Sequence, residues 1–422
     1  MMHRLHSLSI LFLSVLALST TAHAQNNRGV IQWSATDSSA ANLHVYLVTF
    51  SPGNELTDWF GHTAIVVRDS VKKISKLYNF GLFSFSEGFI KNFIFGRLIF
   101  WKGRHDLAST LKYYKSERRS IYFHELNLEA HSKLQLARAL EREVLPENRQ
   151  YLYDHYRDNC ATRLRDLIDR ATHGQLREAT QISDGRSYRD LTMQYTDSHP
   201  LMQWLLLFLM NDTIDQPLTH WQEMFLPDYL ARYVEETRYT DSRGHTIPLV
   251  RKSWSEYDAG RPAPPAADDI SRYPFWPLGL GLLWAALIIL PALAARRSRL
   301  VLRLTGLLLF IGPFIMGMIG TILFFMAFFT DHTVTWHNEN LLLLHPLTLL
   351  TSFLALGCFL KNRQAPCWTK LEMFWLVQSI LALLLLVAKI FPMFDQQNYM
   401  ALAFCLPFIW GNFIALKLIN RS

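Results

Sequence analysis

From residue 274 to its end, this 422-residue chain is organised by five apolar segments, at about 274–295, 302–329, 341–360, 373–393 and 399–416. Most reach the roughly 20 residues a helix needs to cross a hydrocarbon core, and the last is slightly short. This pattern predicts a five-helix transmembrane domain. The connecting loops orient it. Loops 296–301, 361–372 and 417–422 carry Arg296, Arg297, Arg299, Lys361, Arg363, Lys370, Lys417 and Arg421, with Arg303 just inside the next helix. Loops 330–340 and 394–398 carry Asp331, Glu339 and Asp395 and no Lys or Arg. Basic loops stay on the cytoplasmic side, so the long segment before residue 274 belongs outside. Gly306, Gly312, Pro313, Gly317 and Gly320 suggest a kinked second helix that packs closely on its neighbours.

The formal charge of +7 is a false lead toward nucleic acid. Residues 25–273 carry 31 basic and 31 acidic residues, while residues 274–422 carry 10 and 4. The excess therefore sits in the membrane part, and no basic nucleic-acid face is implied. The first 24 residues have a basic start (His3, Arg4), an apolar stretch from Leu8 to Leu18, and Ala22-His23-Ala24. They read as a secretory signal peptide. The expected division is a signal peptide at 1–24, a periplasmic domain at 25–256, a linker at 257–273 and the transmembrane domain at 274–422. Gly260, Pro262, Pro264, Pro265 and acidic residues mark the linker.

The exported domain reads as α+β. Strands are expected at Leu43–Phe50, about Gly61–Arg68, about Leu77–Phe83 and Ser120–Leu126, the first three forming an antiparallel meander. Phe89–Trp101 reads as a strand pair around Gly96 or as a lipid-proximal segment. Glu129–Val144 is an amphipathic helix stopped by Pro146. Asp158 and Asn159 are N-cap types ahead of Leu164, Leu167, Ile168 and Ala171, which repeat at helical spacing. Beyond residue 174 the chain looks irregular until a helix near Leu201, too short to span and best read as buried, and another from Trp221 through Tyr233.

Four cysteines are present, and only Cys160 lies in the exported domain. It has no disulfide partner there, and a free thiol in an oxidising compartment is a hazard unless buried or used. Burial is the common fate of cysteine. Cys160, however, stands in the first turn of its helix, where unpaired N–H groups and the helix dipole lower a thiol pKa and can hold an oxyanion. A thiol nucleophile needs a base and a group to orient it. His62, in Trp59-Phe60-Gly61-His62-Thr63, is the leading candidate, with His44 and His155 as competitors. Asn79 can orient it, but strand register leaves Tyr78 as a rival. Trp59 is a candidate pocket wall.

Metal chemistry has little support: the 16 histidines include no HExxH, and His332 and His337 lack a third ligand nearby. GxGxxG, Walker A and GxSxG patterns are absent, so no cofactor is expected. The outside loop Asp331–Asn340 is polar for a link between two spans. His337, Asn338 and Asn340 are its candidate contacts to a lipid headgroup or lipid-anchored peptide.

Several motifs together resemble one family. They are Trp59-Phe60-Gly61-His62-Thr63-Ala64-Ile65, Tyr78-Asn79-Phe80-Gly81 with Phe83 and Phe85, and Asn159-Cys160-Ala161-Thr162-Arg163-Leu164-Arg165-Asp166. Phe225-Leu226-Pro227-Asp228-Tyr229-Leu230 and Asn338-Glu339-Asn340-Leu341-Leu342, followed by Pro346-Leu347, extend the likeness. They resemble the Lnb family of lipoprotein N-acyltransferases over about residues 40–350; His345 departs from the expected residue before the proline. The resemblance implies a permuted papain-like (NlpC/P60-like) thiol domain, with Cys160 as nucleophile and His62 as base. It implies acyl transfer from a phospholipid to the N-terminal amine of a diacylated lipoprotein cysteine, through a Cys160 thioester, at the bacterial inner membrane. Asn159 and Arg163, flanking the thiol, join Tyr78, Trp59, His337, Asn338 and Asn340 as candidate substrate-binding residues. Membrane lipids are expected partners; nucleic acid and metal are not. The alternatives are a periplasmic cysteine hydrolase and a non-catalytic envelope assembly protein.

Overall fold

The computed structural model of the protein describes Trp33, residues 40–84, 88–295, 298–360 and 367–420. The expected signal peptide, Phe85 and the loop residues Arg296, Arg297, Lys361 and Arg363 lie outside the described residues. Two compact units are present. One runs to Arg186 and takes in Pro217–Pro264; the other comprises Ser187–Gln216 and Pro265 onward. Ser187–Gln216, placed in the exported domain by the sequence reading, thus groups with the C-terminal helices.

In the first unit, β1 (Leu43–Phe50), β2 (His62–Asp69) and β3 (Ile74–Leu82) form an antiparallel meander. Phe50 stands opposite His62, and Ala64 opposite Asn79. The aromatic run that follows is not a strand pair. It is a short helix, α1 (Phe89–Ile94), and a strand, β4 (Ile99–Asp106). Gly96 N–H donates to Phe93 O at 3.1 Å and Arg97 N–H to Asn92 O at 2.8 Å. These two bonds are the Schellman closure of a helix, so Gly96 ends α1 rather than turning a hairpin.

Next come α2 (Leu107–Ser116), β5 (Ile121–Leu126), α3 (Ala130–Glu143), β6 (Gln150–Leu152), α4 (Cys160–Ala171) and α5 (Gln175–Ala179). In the second unit α6 (Tyr188–Thr196) and α7 (Pro200–Leu209) follow. The chain returns to the first unit as α8 (His220–Glu223), α9 (Pro227–Glu236), β7 (Arg238–Thr240), β8 (Thr246–Pro248) and β9 (Val250–Tyr257). The single helix expected from Trp221 to Tyr233 is broken because Pro227 has no N–H to continue α8 and instead starts α9.

Seven strands make one antiparallel sheet in the order β6-β4-β3-β2-β1-β5-β9. Alternation gives it two buried faces. Val48, Phe50, Ala64, Val66, Leu77 and Phe123 pack with Tyr114 of α2 on one. Tyr78 points to the other, where its hydroxyl donates to Glu141 of α3. With helices on both sides the central strands are shielded from water, which explains why their sequences are almost continuously apolar.

In the second unit, the irregular stretch expected past residue 174 includes a buried helix. Ser187 and Asp190 form a capping box that starts α6, and all nine of its residues are buried. α7 is only partly buried: Gln203, Trp204, Leu207 and Phe208 are inside while Leu201 is 70% exposed, and Trp204 Nε1–H donates to Met400 O at 3.0 Å. Among the described residues five helices are long and apolar enough to cross a membrane: α10 (Trp276–Ala294), α11 (Arg299–Phe329), α12 (Pro346–Leu360), α13 (Cys367–Ala388) and α14 (Tyr399–Asn420). The third span takes in the turn beginning at Glu339, and the last, at 22 residues, is not short. Small residues let α11 approach its neighbour: a methyl on Gly317 would stand 2.3 Å from Leu349 N.

Candidate active site

The site is built on the N-terminus of α4. Asn159 caps the helix. Its Oδ1 accepts from Ala161 N–H at 2.8 Å and Thr162 N–H at 2.9 Å, and Thr162 Oγ1 accepts from Asn159 N–H at 2.8 Å. Asn159 Nδ2 donates to His155 O at 2.7 Å and Phe225 O at 2.9 Å. Every polar atom of this side chain is therefore engaged within the protein, and Asn159 sets the helix start. Arg163 is similarly occupied, with two bonds to Asp158 at 2.6 and 2.7 Å. Its guanidinium lies 4.1 Å from the centre of the Tyr151 ring.

Capping leaves Cys160 at the first helical position with its sulfur among backbone donors. The N–H groups of Thr63, Ala161 and Cys160 itself are directed at the sulfur and favour the thiolate, as does the Arg119 charge. Burial opposes them and prevails, pushing the thiol up to about 11. The expected lowering by the helix N-terminus is thus present but outweighed, because removing a thiolate from water costs more than three amides return. The Thr63 contact brings the sulfur onto the residue that follows His62.

His62 opens β2, and its Nε2 lies 2.6 Å from Asn79 Oδ1. An amide oxygen only accepts, so Nε2 carries the proton and Nδ1 keeps the lone pair. Burial holds this imidazole down at about 4, with the Asn79 bond acting in the opposite sense. The pairing of Ala64 with Asn79 resolves the register: Asn79 shares the α2 face with His62. Tyr78 lies on the opposite face, fully buried, accepting from Trp33 Nε1–H at 2.8 Å. It is not brought to His62.

Trp59 is buried, with Nε1–H donating to Asn54 O at 3.1 Å. His155 packs edge-on against Phe60 and Phe225, and burial also holds it at about 4. His44 pairs with Glu125 on β5 at 2.9 Å. In the second unit, Asn340 Nδ2 donates to Phe208 O at 2.8 Å and Asn338 Nδ2 to Leu209 O at 3.0 Å. These two asparagines satisfy the last carbonyls of α7 and are buried, while His337 is exposed with φ +53°. The sequence reading missed Arg119 and Tyr151. Arg119 is buried, with Nε–H donating to Ser51 O and its guanidinium paired to Asp58, both at 2.7 Å. The second residue of the Arg118-Arg119 pair ahead of a strand carries no signal of that. Among the described residues no cluster of three His, Cys, Asp or Glu side chains is placed to hold a metal.

Two family models match the chain: the Lnb N-terminal periplasmic domain over residues 30–195 and the Lnb transmembrane domain over residues 269–419. The chain belongs to the Lnb family of lipoprotein N-acyltransferases. Comparison with curated proteins and with solved structures finds no match. The mixed α+β unit carries the periplasmic domain of an Lnb protein, and the five apolar helices are its transmembrane part. The protein is accordingly a multi-pass protein of the inner membrane. Lipid and lipoprotein are the substrates that family membership implies.

Proposed function

We propose that Cys160 carries the acyl chain between a phospholipid and the free α-amine of a diacylated lipoprotein cysteine, in a permuted papain-like (NlpC/P60-like) site. The observation that carries this reading is the His62–Asn79 bond. It leaves the Nδ1 lone pair available on the residue whose neighbour, Thr63, touches the sulfur. His62 takes the thiol proton as sulfur attacks the ester carbonyl carbon. The C–S bond forms, the carbonyl π pair moves onto oxygen, and collapse breaks the ester C–O bond. His62 returns its proton to the departing glycerol oxygen. The amine of the second substrate then attacks the thioester, the C–N bond forms, and sulfur leaves and recovers its proton through His62. A thioester suits the task because it stays reactive toward an amine. The buried sulfur favours transfer over hydrolysis by limiting water.

The test replaces Cys160 and His62 separately by Ala and reads the N-terminal acylation of a reporter lipoprotein by mass spectrometry. Loss of the third acyl chain at normal membrane levels is expected for both. Intact acylation in either variant would remove that residue from the mechanism, and free fatty acid in place of amide would make the protein a hydrolase.

A further inference from the structure

Beside the thiol stands a buried polar atom that has no partner. Tyr151, on β6, is 7% exposed, and its hydroxyl makes no hydrogen bond among the described residues. A buried hydroxyl left unpaired is destabilising, and such groups in native proteins ask for a reason.

Three observations aim this one at the site. A methyl built on Gly81 would lie 3.6 Å from Cys160 Cβ and 3.7 Å from the Tyr151 hydroxyl oxygen. One methyl-sized space thus touches both groups, and Gly81, at φ +84°, keeps it free of a side chain. Arg163, held by Asp158, lies over the Tyr151 ring and fixes it in place. Burial also raises the phenol pKa, so the group remains an O–H donor at any physiological pH.

We propose that the Tyr151 hydroxyl donates to the carbonyl oxygen of the acyl group as it becomes tetrahedral on Cys160. This inference rests on the thiol reading above. As the C–S bond forms and the carbonyl π pair moves onto oxygen, that oxygen enters the space over Gly81 and meets Tyr151 O–H. The phenol keeps its proton throughout, since His62 handles the proton that moves. Tyr151 is idle at rest because its acceptor exists only during reaction, the arrangement that accelerates a step without tightening ground-state binding.

The test uses the full-length protein in phospholipid vesicles with a synthetic diacylated lipopeptide, and Tyr151→Phe. The rate of Cys160 acylation, read by intact mass in single turnover, should fall about 10²-fold. The melting temperature should be unchanged or higher, and alkylation of Cys160 by iodoacetamide should match the parent protein, since the thiol and its base are untouched. Acylation at the parent rate would overturn the proposal. So would a lower melting temperature or failure to accumulate, either of which would give the hydroxyl a structural partner. If the parent protein shows no acyl group on Cys160 and Cys160→Ala stays active, the thiol reading itself fails. Tyr151→Phe at full speed removes only the donor.

Discussion

Replacing Asn159 by Ala separates a structural role from a substrate role at the residue before the thiol. The side chain is 4% exposed and makes two bonds as acceptor and two as donor. Losing an Asn cap costs about 1–2 kcal/mol. The substitution also deprives the carbonyls of His155 and Phe225 of a partner, at about 1 kcal/mol each where water cannot replace it. The expected loss is therefore about 3–4 kcal/mol. For a unit of this size that lowers the melting temperature by about 6–15 °C. Differential scanning fluorimetry of the purified full-length protein measures it. Asn159→Ser keeps a capping oxygen but not the two donations, and should recover about half the loss. The reasoning is refuted if Asn159→Ala melts within about 1 °C of the parent protein yet no longer transfers acyl chains. Asn159 would then act on substrate.

Two further outcomes follow from the same geometry. With the thiol pushed up to about 11 and His62 held at about 4, the resting pair is uncharged, and the thiolate share rises with pH. Iodoacetamide alkylation of Cys160 should therefore accelerate about tenfold per pH unit between about pH 6 and 9; a flat profile would mean a preformed thiolate. Tyr78→Phe should cost about 1–2 kcal/mol, because Trp33 Nε1–H and Glu141 each lose a partner. Acyl transfer by the folded fraction should be unchanged, and a selective loss of activity would return Tyr78 to the site.

What the sequence revealed and concealed divides along physical lines. The meander, the cap at Asn159 and the five spans were legible because each rests on a local pattern: alternation, a cap residue before helical spacing, and apolar length. β4 and β9 were not. Lys102, Arg104 and His105 interrupt β4, and Arg251, Lys252 and Glu256 interrupt β9, so their pairing is decided by neighbours distant in sequence. α6 was hidden because its buried residues are largely polar: Arg189 is paired with Asp215, and Arg272 with Asp190. Its Ser187 and Asp190 capping box was the one readable sign. The choice of Asn79 over Tyr78 as the partner of His62 required register, which no single strand encodes. The polar loop Asp331–Asn340 attracted a binding role because it carries several hydrogen-bond donors between two spans; Asn338 and Asn340 use theirs on the last carbonyls of α7. Helix-end electrostatics at Cys160 were read correctly in direction, but the sequence gives no measure of burial, and burial decides the sign.

An uncharged resting pair constrains how the proposed reaction proceeds. The thiol at about 11 and the imidazole at about 4 lie about seven pH units apart. Moving the proton from sulfur to His62 before anything else happens costs on the order of 9 kcal/mol, less whatever the two new charges regain. A turnover of about 10 per second corresponds to a barrier of about 16 kcal/mol. A separate ion-pair step would use more than half of it before any carbon–sulfur bond formed. Proton transfer coupled to attack avoids that state, because negative charge then develops on the carbonyl oxygen rather than on sulfur. Charge that appears on oxygen needs donors where the oxygen will be. The amides of Thr63, Cys160 and Ala161 converge on the sulfur at rest, and the unpaired Tyr151 hydroxyl waits across the space over Gly81. In the proposed mechanism the site stays unreactive toward small electrophiles near neutral pH and turns on when an acyl ester fills that space. That restraint suits a thiol kept in an oxidising compartment.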